Sequence, residues 1–218
     1  MINLQEYSFF IFDCDGVILK SNKLKTNAFA ESLRGESKKL VRDFLKYHKN
    51  KGGISRYEKF SYYFKNLKKS DYAENETKYA VKKFAELVST GLCKCDYIPG
   101  VIDFIKVLYD EKKPIFVVSG SDEKELKKVF QKRKILKYFK ELYGSPRSKN
   151  DNTELVMNQV GYESKGCFFG DSNSDYQAAI KFCLDFVFVS GESEWDLKGV
   201  VPAESFYLEI SDFNEICL

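Results

Sequence analysis

Apolar residues in this chain fall into short unbroken runs separated by longer stretches of mixed pattern. Residues 7–12 are almost entirely apolar and stop at Asp13. A run of that length without alternation predicts a strand covered on both faces, as in a parallel sheet. Further runs predict strands at 114–119, 138–144, 166–170 and 184–189. Between them, helical spacing predicts helices at 100–111, with Val101, Phe104, Ile105 and Leu108 on one face, at 122–136 with Asp122 as N-cap, and at 174–182. Strands alternating with helices define an α/β fold, a doubly wound parallel sheet.

Residues 20–95 break the alternation. They read as consecutive helices rich in Phe, Tyr and Lys, and so as a helical insertion lying over a sheet domain made of 1–19 and 96–218. Charge marks the same boundary. The insertion carries 19 Lys and Arg against 8 Asp and Glu, a net of +11, and the remainder is −8. A basic lid over an acidic body is a trap for an anion, or else an ordinary solvated helical surface. From Gly191 onward the pattern predicts a short strand and helix completing the core.

Composition narrows the class. No apolar run approaches the roughly 18 residues of a membrane span, and the N-terminal residues lack the basic region of a signal peptide, so the expected location is the cytoplasm. The six cysteines form no C-x-x-C pair and read as reduced, structural thiols. His48 is the sole histidine, which removes mechanisms that need two. Its neighbours Tyr47 and Lys49 suggest a surface or turn residue. No G-x-S-x-G elbow, G-x-G-x-x-G fingerprint or P-loop occurs, and no cysteine has an arginine at the offset used by cysteine phosphatases.

The chemistry sits in two acidic blocks, Asp13-Cys14-Asp15-Gly16 and Gly170-Asp171-Ser172-Asn173-Ser174-Asp175, each directly after an apolar run. Carboxylates gathered at the mouths of buried strands repel one another and are normally tolerated around a cation. Mg²⁺ fits, since it takes oxygen ligands and leaves positions for water and phosphate. Ser119-Gly120-Ser121 ends a strand and serves equally as a phosphate contact or as a helix-capping turn.

Asp-x-Asp-Gly after the first strand, Ser119 at the end of the second, a lysine before the fourth and Gly-Asp-x-x-x-Asp after it resemble the haloacid dehalogenase superfamily. The resemblance spans the chain. The insertion after the first motif and Pro99-Gly100-Val101 are similar to the phosphoglycolate phosphatase and beta-phosphoglucomutase branch, with a Rossmann-like core and a helical cap. It implies Asp13 as nucleophile forming an aspartyl phosphate and Asp15 as general acid and base. Acid at position 15 argues for phosphoryl transfer over dehalogenation. The resemblance further implies Ser119 and Gly120 on the phosphate, Lys149 as cationic clamp, and Mg²⁺ held by Asp13, the Asp15 carbonyl and Asp171, with Asp175 as ligand or support. The residue after Lys149 is Asn150 where relatives carry proline, which leaves Arg147 and Lys165 as alternative clamps. In the insertion, 51–56 and Lys59 are similar to a substrate-specificity loop, with Arg56 either gripping a substrate group or lying in a surface turn.

The leading expectation is a Mg²⁺-dependent phosphatase of a small phosphomonoester, a sugar phosphate or phosphoglycolate-like acid. A phosphomutase of the same fold is the alternative, and a non-catalytic anion- or nucleic-acid-binding protein is the third reading. The expected partner is a small phosphorylated metabolite, with no membrane and a monomer or weak homodimer.

Overall fold

A computed structural model describes residues 3–195 and 208–216. At its centre β1 (Phe9–Phe12) has all four side chains buried. Phe9 and Ile11 join one apolar cluster, and Phe10 and Phe12 join another, so the strand is covered on both faces as its unbroken apolar run requires. With β2 (Ile115–Asp122), β3 (Glu141–Ser145), β4 (Gly166–Gly170), β5 (Asp185–Val189) and β6 (Leu208–Ile210) it builds a sheet of order β3-β2-β1-β4-β5-β6. Every pairing is parallel.

Four helices, α1 (Asn22–Ser32), α2 (Lys38–Asn50), α3 (Arg56–Tyr62) and α4 (Ala73–Lys94), follow β1 without an intervening strand. Their shared centre is aromatic: the Phe29 ring centroid lies 4.3 Å from that of Phe84 and 5.2 Å from that of Phe60, both tilted, and Phe44 stacks on Phe60 at 5.9 Å. The chain leaves and re-enters the sheet layer at one place. Lys20 N donates to Asp96 O at 2.9 Å and Ile98 N to Ile18 O at 3.0 Å, with Leu19 bridged to Tyr97. The remaining helices are α5 (Val101–Asp110), α6 (Glu123–Lys132), α7 (Lys149–Val160) and α8 (Asn173–Lys181). Val101, Phe104, Ile105 and Leu108 are buried together on α5, and Asp122 caps α6 by accepting from Glu125 N at 3.0 Å.

Several boundaries move for local reasons. The helix expected over 122–136 stops at Lys132, because Lys134 turns back with φ +61°. The third strand starts at Glu141 after a 3-10 turn at Leu136–Tyr138. Helix α7 was not expected, since most of its positions are polar. It is held to the sheet by Val156 and Met157 together with fully buried Asn152 and Thr153. The C-terminal expectation resolves into β6 and a 3-10 turn at Phe213–Glu215, while 196–207 lie outside the described residues. Among the described residues no helix is long and apolar enough to cross a membrane, and Cys14, Cys93, Cys95, Cys167 and Cys183 are free thiols.

This topology sets the site. Strand order reverses beside β1, and the carboxyl ends of β1, β2 and β4 open on one crevice, where doubly wound sheets bind ligands.

Candidate active site

Asp13 stands at the end of β1 and Asp171 at the end of β4, so parallel pairing of the two strands brings the acidic blocks together. Carboxylate oxygens of Asp13, Asp171 and Asp175 lie within 4.8 Å of one another, and all three residues are buried. Gly16 permits this approach. Its φ is +80°, and a Cβ there would run into the Asp171 carboxylate and Asn22.

Lys149, first residue of α7, reaches the cluster from below. Its Nζ lies 3.1 Å from Asp13 Oδ2 and donates to Asp175 Oδ1. Of the three cations considered for this place, the structure brings only Lys149 to it. Arg147 pairs with Glu123 and Asn152, and Lys165 with Glu6 and Asp185. One ammonium cannot balance three carboxylates. Burial, only partly offset by Lys149 and reinforced by Asp175 and Asp15, pushes the Asp13 carboxyl up to about 7, and burial with the Asp13 and Asp175 charges holds Asp171 well above the carboxylate range.

The three acids fit a divalent cation. Asp13 Oδ1 is buried with no hydrogen-bond partner among the described residues, an orphan that a hard cation would satisfy. Asp175 is differently placed. Its Oδ1 accepts a hydrogen bond from Lys149 Nζ and its Oδ2 accepts from Ser172 N at 3.1 Å and Ser172 Oγ at 2.6 Å, so both oxygens are engaged. Asp13 and Asp171 are therefore better placed as ligands, and Asp175 as the group that orients Lys149 and the 171–175 loop.

Asp15 points away from that cluster. Its Oδ1 accepts from Ser21 Oγ at 2.5 Å, and its Oδ2 from Lys25 Nζ at 2.5 Å and Ser121 Oγ at 2.8 Å. Burial alone would raise its carboxyl, but the Lys25 charge and these hydrogen bonds bring it down to about 2. Ser119 is buried, and its Oγ accepts from Ser121 N at 3.2 Å. Gly120 and Ser121 line the chamber; Ser119 lies behind them.

Above the acids is a chamber of about 70 Å³ walled by both the sheet end and the helical segment. That leaves room for roughly five water-sized groups, since each needs ~10–15 Å³ on this measure. Its roof carries Phe29, His48, Arg56, Lys59 and Phe84, and Gly53 closes one side. Gly53 has φ +74°, and a Cβ there would lie 2.7 Å from Ser172 Oγ and 2.9 Å from Lys149 Nζ.

Two roof residues differ from expectation. Arg56 does not lie in a surface turn; it opens α3, and its guanidinium is already taken by an acid. It is 5% exposed, pairs through both guanidinium nitrogens with Glu125 of α6, and sits 4.8 Å over the Phe84 ring. His48 is not a surface residue. It shares the buried face of α2 with Phe44 and packs 4.4 Å from Phe29, with Thr26 Oγ1 2.9 Å from Nε2 and Lys59 Nζ 2.8 Å from Nδ1. Sequence reasoning missed Asn22 and Lys25 altogether. Asn22 Nδ2 donates to Asp171 Oδ2 at 2.6 Å, but nothing in the sequence separates Lys25 from the other lysines of its segment.

Comparison with known proteins agrees with this architecture. The profile of the haloacid dehalogenase-like hydrolase family matches residues 10–189, and the chain belongs to that family. A search of curated proteins finds no match. Among solved structures, a predicted phosphoglycolate phosphatase from Haemophilus somnus 129pt is 18% identical with a TM-score of 0.73, covering 98% of this chain and 97% of its own. CbbY from Rhodobacter sphaeroides in complex with phosphate is 15% identical, TM-score 0.71, with 96% of each chain covered. YfnB from Bacillus subtilis bound to magnesium is 17% identical, TM-score 0.68, again over 96% of each.

Proposed function

We propose that the chain is a divalent-metal-dependent phosphatase of a small phosphomonoester, working through a phosphorylated Asp13, with the helices of 20–95 as a cap over a core of 1–19 and 96–218. The observation that carries this reading is Lys149 seated between Asp13 and Asp175 at the mouth of the sheet, with one buried oxygen of Asp13 left without a hydrogen-bond partner among the described residues and Asp171 in the same cluster. The family supplies the reaction class, and the small chamber supports a small substrate.

Asp13 attacks phosphorus, forming a new P–O bond as the bond to the leaving oxygen breaks. Lys149 sits where it can balance charge on the transferring group and on Asp13. The Gly120 and Ser121 edge faces the phosphoryl oxygens, with Ser119 bracing it from behind. Asp15 rests ionised under Lys25, which suits the second half of the reaction, when it takes a proton from the water that attacks phosphorus. In the first half it protonates the leaving oxygen, and a phosphate dianion arriving beside it raises its carboxyl toward that role. Asp13, Asp171 and the Asp15 carbonyl would hold the cation, supported by Asp175. When bound, Mg²⁺ would neutralise these acids, keep Asp13 ionised and polarise the phosphoryl group.

Phosphate release from a panel of sugar phosphates, phosphoglycolate and nucleoside monophosphates, with Mg²⁺ and with chelator, tests the reading. Metal-dependent release that ceases in Asp13→Asn supports it. No release from any member by the metal-loaded protein refutes it, and label retained on a bisphosphate favours the phosphomutase.

A further inference from the structure

Four cationic side chains line the chamber, and three are matched by carboxylates. Lys25 pairs with Asp15, Lys49 with Glu194 at 3.1 Å and Arg56 with Glu125. Lys59 is the exception. It is 4% exposed, and among the described residues the only hydrogen-bond partners of its ammonium are the ring and carbonyl of His48, with no carboxylate paired to it.

The surroundings hold this ammonium in place without neutralising it. An ammonium only donates, so Nδ1 of His48 must accept, which places the ring hydrogen on Nε2. Nε2–H then donates to Thr26 Oγ1, and the Thr26 hydroxyl donates to Glu194 Oε2 at 2.9 Å. The chain of donors runs from Lys59 outward and ends on an acid two residues removed from it. Phe29 flanks the Nζ at 5.5 Å, and Phe84 completes the apolar wall. An unpaired buried charge is costly, and such groups are found paired or at sites that bind the opposite charge. Burial, aided by Lys25, accordingly pulls the Lys59 ammonium down to about 7.

We propose that Lys59, oriented by His48, is the receptor for a second acidic group on the substrate, so that the enzyme takes a phosphorylated small acid whose carboxylate meets Lys59 while its phosphate meets Asp13 and Lys149. This rests on the phosphatase reading of the same chamber and selects among its substrates. It also transfers to Lys59 the anion-gripping role that Arg56, already joined to Glu125, does not have to offer.

The test is calorimetric binding to the Mg²⁺-loaded protein of two ligands that are not hydrolysed, phosphonopropionate and its isosteric carboxamide. They share a phosphonate and differ in one charge. The expected result is about tenfold or tighter binding of the acid, as for a hydrogen bond to a charged group in a buried site. In Lys59→Met the preference for the acid over the carboxamide disappears. Equal affinities in the wild-type protein overturn the inference and leave the phosphatase reading standing. Failure of both phosphonates to bind removes the phosphate site and the inference with it.

Discussion

Lys59 Nζ lies 2.8 Å from Nδ1 of His48, a buried contact between a lysine and an imidazole, and among the described residues no carboxylate is paired with the lysine. The Lys59 charge makes protonation of the ring unfavourable. Burial first, and then Lys59, Lys49 and Lys25, drive His48 down to about 2. A neutral ring with its hydrogen on Nε2 follows, and because His48 is the only histidine, its resonances are unambiguous. We predict one neutral tautomer from pH 5 to 8 in nitrogen-detected NMR. A titration near the ordinary value of about 6.5 would mean that the ring is open to water.

The burial of Lys59 fixes a pH dependence of stability. The Lys59 ammonium, held at about 7 in the folded state, has a value of 10.5 when unfolded. Between these values the unfolded chain binds more protons, so this group makes stability rise with pH across that window and leaves a constant penalty below 7. Lys59→Met removes the term. Near pH 6 the variant should be more stable than wild type, by on the order of 2–4 kcal/mol, and the gap should close toward pH 10. Denaturant unfolding at several pH values measures it, and parallel curves for the two proteins would count against a buried, depressed lysine.

Arg56 and Glu125 clasp α3 to α6, with Tyr57 Oη donating to Asp122 Oδ2 at 3.1 Å beside them. Glu125→Ala leaves the buried guanidinium without its acid, and we expect a loss of about 2–4 kcal/mol in unfolding free energy. A loss below ~1 kcal/mol would place this pair with ordinary surface ion pairs.

Gly53 touches the site by backbone alone. With φ +74° and Ser172, Ser174 and Lys149 packed against its α-carbon, Gly53→Ala must shift either the loop or Lys149. The expected outcome is a drop in kcat/KM of about tenfold or more, with a Tm change of only a few degrees. An unchanged kcat/KM would show that the loop yields without moving the lysine.

The sheet was legible because its strands are apolar on both faces: 166–170 matches β4 to the residue, and Asp13 and Asp171 stand out because each ends such a run. Helix α7 was not, since it is anchored by Lys149, Asn152 and Thr153, buried polar residues that disguise an inward face. His48 misled for the same reason. A polar residue between Tyr47 and Lys49 reads as exposed, and only the packing of α2 on Phe29 and α3 turns it inward. The pairing of Lys25 with Asp15 depends on the folded path from β1 into α1, and no local pattern marks it. Arg56 was identifiable as special, but its partner Glu125 is 69 residues away.

In the proposed reaction Asp13 carries the phosphoryl group. Rapid acid quench of the Mg²⁺-loaded enzyme with labelled substrate, followed by peptide mapping, tests it directly. Label is expected on the peptide containing Asp13, absent with chelator and absent in Asp13→Asn together with turnover. Phosphate release that persists in Asp13→Asn, or label on another residue, would contradict it.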